Sequence, residues 1–399
     1  MRMRVDDIKK IAVLGAGAMG HGIAMVALLA GYNVVLRDIN QEFVDKGVKA
    51  IRDDFEKFYV AKGELTEEEL DKIMNEQLTT AVDMKDAASD IDFAIEAVPE
   101  IMKIKKEVFA DLDKYAPKHA ILASNTSNMS ITEIAKATKR EEKVVGTHFF
   151  NPPTIMRLVE VIKGEKTIEE TMQVAVDLMK IFGKIPVRVE KDSPGFIANR
   201  VIASTIALLG AILDQKVAMP EEIDAMMKKF GQPMGPYELL DYVGLDVVYD
   251  GGIYFSKILN PDYAPAKAFE TLVKDGHLGM KTGKGVYDWS RGRPKIDLSK
   301  STDKLDPIDL MSVEINEGIK LVEEGVCTPK DVDIAMKYGY SRAKGPFEMA
   351  EDIPHDLLKD RLEKLAHKFN KKIFEPTETI KDGRLGELLK KAGYDEYAV

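Results

Sequence analysis

Short apolar runs alternate with amphipathic stretches through the first half of the chain, and in the second half the short runs disappear. Lys10-Ile11-Ala12-Val13-Leu14 reads as a buried strand. Gly15-Ala16-Gly17-Ala18-Met19-Gly20 follows at once, His21 to Ala30 has helical composition, and Gly31 stands where a helix C-cap would. Asn33-Val34-Val35-Leu36-Arg37-Asp38 is a second strand that ends in an acid. Strand, turn, helix and strand in that order make the unit a parallel sheet requires. A charged helical stretch runs from Gln41 to Lys62, and Thr66-Glu67-Glu68-Glu69 has the form of a capping box opening another helix. Asp92 to Val98, Ala120 to Ser124, Lys143 to Phe149 and Met156 to Ile162 are further strands. The pattern predicts an α/β domain over residues 1–192, a Rossmann-type doubly wound parallel sheet with a helical excursion at 41–78.

Past Ser193-Pro194-Gly195 the apolar positions take helical spacing, with Met, Ala and Leu prominent, and an all-α region is expected. That region repeats itself. Met219-Pro220-Glu221-Glu222-Ile223-Asp224-Ala225-Met226 returns as Thr328-Pro329-Lys330-Asp331-Val332-Asp333-Ile334-Ala335-Met336, with the prolines 109 apart. Met234-Gly235-Pro236-Tyr237-Glu238 returns as Lys344-Gly345-Pro346-Phe347-Glu348, with the prolines 110 apart. Ala203 to Val217 matches Ser312 to Val326 in apolar spacing. Two repeated helical domains are therefore expected, at 193–298 and 305–370, with residues 371–399 as a charged surface tail.

Composition narrows the class. A chain of 399 residues is long enough for more than one core, and its net charge of −10 disfavours nucleic-acid binding, which rests on neutralising phosphates. No window approaches the roughly 20 apolar residues of a membrane span, and the N-terminus lacks a cleavable-signal layout. The single cysteine, Cys327, leaves no intrachain disulfide and no cysteine zinc cluster; it reads as a small buried hydrophobe, and no metal site is expected. The expectation is a cytoplasmic globular protein.

The candidate chemistry lies where strands end. Gly15 suits a tight turn, Gly17 a close backbone approach to a pyrophosphate and Gly20 close helix–strand packing, with Ala18 and Met19 at the helix N-terminus. Asp38 is placed to accept from ribose hydroxyls and to repel a 2′-phosphate, favouring NAD over NADP, although the neighbouring Arg37 could pair with that phosphate. A generic turn with a surface aspartate is the bland alternative. His148 ends an apolar run, and a neutral imidazole suits removal of a proton from an alcohol near neutral pH. Taken alone it also fits a hydrogen-bonded histidine at a strand end. Glu160 stands amid Leu158-Val159-Glu160-Val161-Ile162, where a carboxylate is expensive without a partner, and His148 is the natural one. Ser127, in Ser124-Asn125-Thr126-Ser127 after a strand, reads either as a crevice residue or as a turn residue.

With these motifs the chain resembles the L-3-hydroxyacyl-CoA dehydrogenase family over about residues 10–290. The resemblance is carried by the glycine turn, Ser124 to Ser127, His148-Phe149-Phe150-Asn151-Pro152 with Glu160, and Pro194-Gly195-Phe196-Ile197-Ala198-Asn199-Arg200. Pro233 to Asp241 and Lys281-Thr282-Gly283-Lys284-Gly285 extend it. It implies NAD-dependent oxidation of an (S)-3-hydroxyacyl-CoA, such as 3-hydroxybutyryl-CoA, with chain-length preference open. It further implies His148 as general base, Glu160 as its orienting carboxylate, and Ser127 and Asn199 at the substrate's 3-oxygen and thioester. Glu100, Lys105, Ser127, Asn151 and Lys281 would match cofactor contacts, and Lys57 and Lys62 in the helical excursion are candidates for the CoA phosphates. The second helical copy lacks the Pro-Gly-Phe-Ile-x-Asn-Arg entry and is expected to pack as an intrachain pseudo-dimer partner, with oligomeric state open. A β-hydroxyacid dehydrogenase using a lysine base, and a non-catalytic NAD-binding protein on this fold, are the competing readings; the first leaves the His148–Glu160 pair unexplained, and the second would have been favoured by loss of a catalytic position.

Overall fold

The computed structural model describes residues 3–392, with side chains as far as residue 390. Two compact units emerge: one comprises the chain up to Ala198 together with Gly325–Ala343, the other Asn199–Glu324 together with Lys344 onward.

The first unit is built on strands β1 (Lys10–Leu14), β2 (Asn33–Arg37), β3 (Leu78–Ala81), β4 (Phe93–Glu96), β5 (Ile121–Ser124), β6 (Val144–Phe149), β7 (Leu158–Lys163) and β8 (Ile185–Val189). They form one sheet in the order β3-β2-β1-β4-β5-β6-β7-β8. All neighbours are parallel except β6 and β7. The first six positions are the doubly wound order, whose direction reverses between β1 and β4; ligands of open α/β sheets bind outside the strand ends at such a point. Near-continuous apolar strands are what burial on both faces demands, and Ile11, Val13, Phe93, Ile95, Ile121 and Ala123 share one core.

Two strands escape the hydrophobic pattern. Leu78-Thr79-Thr80-Ala81 is short and half polar, and Ile185-Pro186-Val187-Arg188-Val189 carries a proline. Each lies beside a single strand neighbour, where missing donors and polar faces are tolerated.

Helices α1 (Ala18–Leu29), α2 (Gln41–Phe55), α3 (Glu67–Lys72), α4 (Met84–Ala88), α5 (Met102–Tyr115), α6 (Ile131–Ala135) and α7 (Glu169–Ile181) flank the sheet. The α2–α3 excursion continues each helix as a π-helical turn, at Glu56–Val60 and Ile73–Gln77. The capping box is present: Glu69 N–H donates to Thr66 Oγ1 at 3.2 Å and Thr66 N–H to Glu69 Oε2 at 2.8 Å.

The second unit is helical, with α8 (Ala198–Asp214, its first residue in the other unit), α9 (Pro220–Lys229), α10 (Pro236–Val243), α11 (Leu245–Ile258), α12 (Lys267–Lys274) and α13 (Pro307–Glu323). Helix α14 (Pro329–Gly339) instead belongs to the first unit and packs on β7 and β8; Gly339 is the close-approach point, where a Cβ would come within 2.8 Å of Leu158. Helices α15 (Pro346–Ala350), α16 (His355–Phe369), α17 (Glu378–Lys381) and α18 (Leu385–Ala392) complete the chain's second unit. Helices α9 and α14 both begin at the repeated proline, as do α10 and α15. Sequence equivalence does not extend to environment, since α9 and α14 lie in different units. Within the second unit the repeat meets itself: Ser204 Oγ donates to the Val313 carbonyl at 3.1 Å and Thr205 Oγ1 to Glu314 at 2.9 Å, each pair 109 residues apart.

Residues 371–385 are not the surface tail that their charge suggests. Phe374 and Ile380 are fully buried, and the Asn316 amide exchanges hydrogen bonds with the Glu375 carbonyl and the Thr377 N–H. Apolar residues set singly among lysines and glutamates carry no helical period, so the burial could not be seen from spacing. Among the described residues no helix is long and apolar enough to cross a membrane, and no group of His, Cys, Asp or Glu could hold a metal ion.

Candidate active site

The glycine turn follows β1, and its three glycines differ in what surrounds them. Gly15 has φ +105°, and a Cβ there would lie 2.5 Å from the Ala97 carbonyl oxygen after β4; at Gly20 a Cβ would lie 1.7 Å from the Gly15 oxygen. Both are closed to a side chain. At Gly17 a Cβ would meet nothing within 4 Å. The open backbone at the N-terminus of α1, beside Ala18 and Met19, is the cradle a pyrophosphate needs, and α1 directs its N–H groups into it. Asp38 follows β2 and closes the turn, accepting from Ala16 N–H at 2.7 Å and Ile39 N–H at 2.6 Å. Arg37 is occupied elsewhere, its Nε donating to the Val82 carbonyl at 3.0 Å. These residues fit a dinucleotide whose ribose meets an acid.

The opposite side of the crevice is ionic. Glu96, the last residue of β4, is fully buried and its Oε1 lies 2.8 Å from Lys105 Nζ on α5; Lys105 also reaches Glu100 at 3.1 Å. Burial pushes the Glu96 carboxyl upward against the pull of Lys105, Ser124 and the Val98 N–H. Partial desolvation acts the same way on Glu100, but there Lys105 and the hydrogen bonds from Thr126 and Ser127 prevail and hold the carboxyl below its ordinary value. Glu100 accepts from Thr126 Oγ1 at 2.5 Å and from the Ser127 N–H at 3.0 Å, so it anchors the loop after β5. Asn125 ties that loop to β6, accepting from Phe149 N–H at 2.9 Å.

His148 and Glu160 face each other directly across the antiparallel β6–β7 pair. His148 Nδ1 lies 2.6 Å from Glu160 Oε2, with both side chains buried. A carboxylate only accepts, so Nδ1 carries a proton, and in the neutral imidazole it is Nε2 that holds the lone pair. Glu160 is itself held. Gly195 and Phe196 take left-handed backbone (φ +75° and +53°), and the N–H groups of Ile197 and Ala198 both donate to Glu160 Oε1, at 3.0 and 2.9 Å. Successive N–H groups after a left-handed residue form an anion-binding concavity. Phe150 and Phe196 flank the imidazole, with ring centroids at 4.6 and 5.8 Å. This is a base with a fixed tautomer in apolar walls.

In the first unit, Ser127 lies partly exposed on the Glu100-anchored loop and Asn151 is exposed two residues after β6. Lys57 and Lys62 are exposed at the end of the α2 excursion, and Lys57 Nζ stands 4.9 Å over the Phe58 ring. Asn199 follows Ala198 in the chain but is counted with the second unit, as is Lys281, whose Nζ lies 2.6 Å from both carboxylate oxygens of Asp246.

Sequence reasoning did not single out Glu96, and it took Ser124, Asn125 and Thr126 only as parts of the Ser124 to Ser127 motif, with no role of their own. A signal existed for Glu96, an acid closing an otherwise apolar strand as Asp38 follows another; the three polar residues after it differ in no visible way from a turn.

Residues 10–193 match the family model for the 3-hydroxyacyl-CoA dehydrogenase NAD binding domain, and 195–289 and 310–396 each match the family's C-terminal domain. The mitochondrial hydroxyacyl-coenzyme A dehydrogenase of Homo sapiens is 41% identical over 291 residues, 71% of this chain and 91% of that protein. A probable 3-hydroxybutyryl-CoA dehydrogenase of Bacillus subtilis is 40% identical over 285 residues, covering 71% and 98%. The crystal structure of 3-hydroxybutyryl-CoA dehydrogenase from Escherichia coli K12 superposes with a TM-score of 0.87 at 28% identity, over 96% of this chain and 99% of that one.

Proposed function

The chain belongs to the 3-hydroxyacyl-CoA dehydrogenase family, and we propose that it oxidises short-chain (S)-3-hydroxyacyl-CoA thioesters such as 3-hydroxybutyryl-CoA, with His148 as general base. NAD is its cofactor, held at the turn Gly15 to Gly20 and at Asp38, and when bound it supplies the hydride acceptor. The observation that carries the reading is the His148–Glu160 pair: the carboxylate fixes the proton on Nδ1 and leaves Nε2 to take the proton of a substrate hydroxyl. As C3 becomes a carbonyl the imidazole gains charge, and the anchored carboxylate balances it.

Ser127 and Asn199 would hold the 3-oxygen and thioester, and Glu100, Asn151 and Lys281 would complete the cofactor contacts; Lys105, expected among them, is instead buried against Glu96, Glu100 and the Val98 carbonyl. Lys57 and Lys62 are assigned to the CoA phosphates, supported by their exposure on the excursion. The helical duplication we read as an intrachain pseudo-dimer. A residue that touches its own copy lies on a two-fold axis, and the Ser204–Val313 and Thr205–Glu314 contacts at the repeat spacing have that property.

NADH consumption with acetoacetyl-CoA, compared between wild type and His148→Gln, tests the function. Wild-type turnover with a loss of roughly 10³-fold or more in kcat for the variant is expected. Near-normal turnover by the variant would remove His148 from the mechanism, and an inactive wild type would remove the reaction.

A further inference from the structure

Lys105 is 1% exposed, and a buried ammonium is costly unless its donors are met. They are met three times, by Glu96 Oε1 at 2.8 Å, Glu100 Oε2 at 3.1 Å and the Val98 carbonyl at 3.4 Å. An ammonium has three N–H groups, so this one is fully committed inside the protein. Glu96, with no exposed surface, cannot touch a ligand either. Its Oε1 also accepts from Val98 N–H at 2.8 Å, and its Oε2 accepts from Ser124 Oγ at 2.6 Å, which in turn accepts from Thr126 N–H at 3.2 Å. Glu100, 41% exposed, then takes up Thr126 Oγ1 and the N–H groups of Ser127 and Asn128 at 2.5, 3.0 and 3.3 Å. One buried carboxylate thus reaches the Ser127 loop by two routes: directly through Ser124, and through Lys105 and Glu100.

We propose that Glu96 is a positioning residue for Ser127, acting through this buried relay; the inference rests on the reading of Ser127 as a substrate contact. An amide at position 96 cannot serve all of Glu96's partners. With its oxygen toward Lys105 and Val98, its NH₂ group faces Ser124 Oγ, which loses the acceptor for its proton. Reversed, the NH₂ group faces an ammonium and a backbone N–H. Either way one anchor of the loop is lost, and a displacement near 1 Å of a substrate-positioning group can cost about 10²-fold in rate.

A double-mutant cycle on the full-length protein tests this. Oxidation of (S)-3-hydroxybutyryl-CoA by NAD is measured for wild type, Glu96→Gln, Ser127→Ala and the double variant, with NAD affinity by calorimetry. Glu96→Gln is expected to lower kcat/KM by roughly 10- to 100-fold in the wild-type background and by less than about threefold where Ser127 is already alanine, with NAD affinity changed by less than about threefold. An equal loss in both backgrounds, or a parallel loss of NAD affinity, overturns the proposal alone. A Ser127→Ala variant with wild-type kinetics overturns the substrate-contact reading and this inference with it. Ser124→Ala, which cuts the direct route but keeps the ion pairs, gives the same cycle if Glu96→Gln does not fold; its loss must likewise vanish without Ser127.

Discussion

Replacing Glu160 by Gln changes one oxygen to NH₂ and leaves shape almost intact, so its effect can be worked from the contacts. Glu160 Oε1 accepts two backbone N–H groups, from Ile197 and Ala198, while Oε2 faces His148 Nδ1. The amide oxygen will turn to the two backbone donors, because the reverse orientation would set its NH₂ group against both. The NH₂ group then faces Nδ1, which must become an acceptor, and the imidazole proton moves to Nε2. The nitrogen that should take the substrate proton is now protonated. An equivalent carboxylate-to-amide change in a serine protease triad lowers kcat about 10⁴-fold, so a loss of about 10³–10⁴ is expected here, or roughly 4–5.5 kcal/mol of barrier. Losing one charge-assisted hydrogen bond is expected to reduce stability by only about 1.5–3 kcal/mol. Stopped-flow reduction of acetoacetyl-CoA gives the chemical step, NAD titration the cofactor affinity and thermal unfolding the fold. A kcat within tenfold of wild type, in a folded variant that binds NAD normally, would refute the tautomer argument.

Asp38 should make NAD preferred over NADP by roughly 10²-fold or more in kcat/KM, since an acid that accepts ribose hydroxyls repels a 2′-phosphate; a measured preference for NADP would sink its assignment. Asp224, fully buried, accepts from Tyr237 and Glu238 N–H groups and from Tyr287 Oη, and burial pushes its carboxyl up to about 7. The folded state therefore keeps a proton that the unfolded chain releases near pH 4, so this group's contribution to stability falls as pH rises from about 4 to about 7, by up to ~1.4 kcal/mol per pH unit. Asp224→Asn should remove that slope from denaturant unfolding curves, and an unchanged slope would contradict the assignment. Ending the chain at Lys300 strips Glu317 and Glu324 from the buried Arg200 and uncovers α8; wet apolar surface is unfavourable by about 25 cal/mol per Å². A homodimer or aggregate is expected in sedimentation equilibrium, and a soluble monomer with unchanged Tm would rule out the pseudo-dimer.

Residue pattern alone determined much of this protein. Apolar runs separated by helical stretches specify a doubly wound sheet because parallel strands buried on both faces must be continuously apolar. The glycine turn and Asp38 stood out by their places after successive strands of a strand–turn–helix–strand unit, His148 and Glu160 because an imidazole at the end of an apolar run and an acid inside an apolar strand call for a partner, and the helical duplication was visible as a constant spacing. Tertiary structure decided what depends on neighbours remote in sequence. Strands β3 and β8 exist because each has one strand to pair with, which no local period records. Helix α14 packs on β7 and β8 although its sequence twin α9 belongs to the helical unit, since burial follows the available surface and not the ancestry of the segment. The turn at Gly195 and Phe196 binds Glu160 through backbone N–H groups, and Glu96 reaches Ser124 and Lys105 only after β4, α5 and β5 are brought side by side. Hydrogen bonds select partners by distance and angle in space, and that information enters only with the fold.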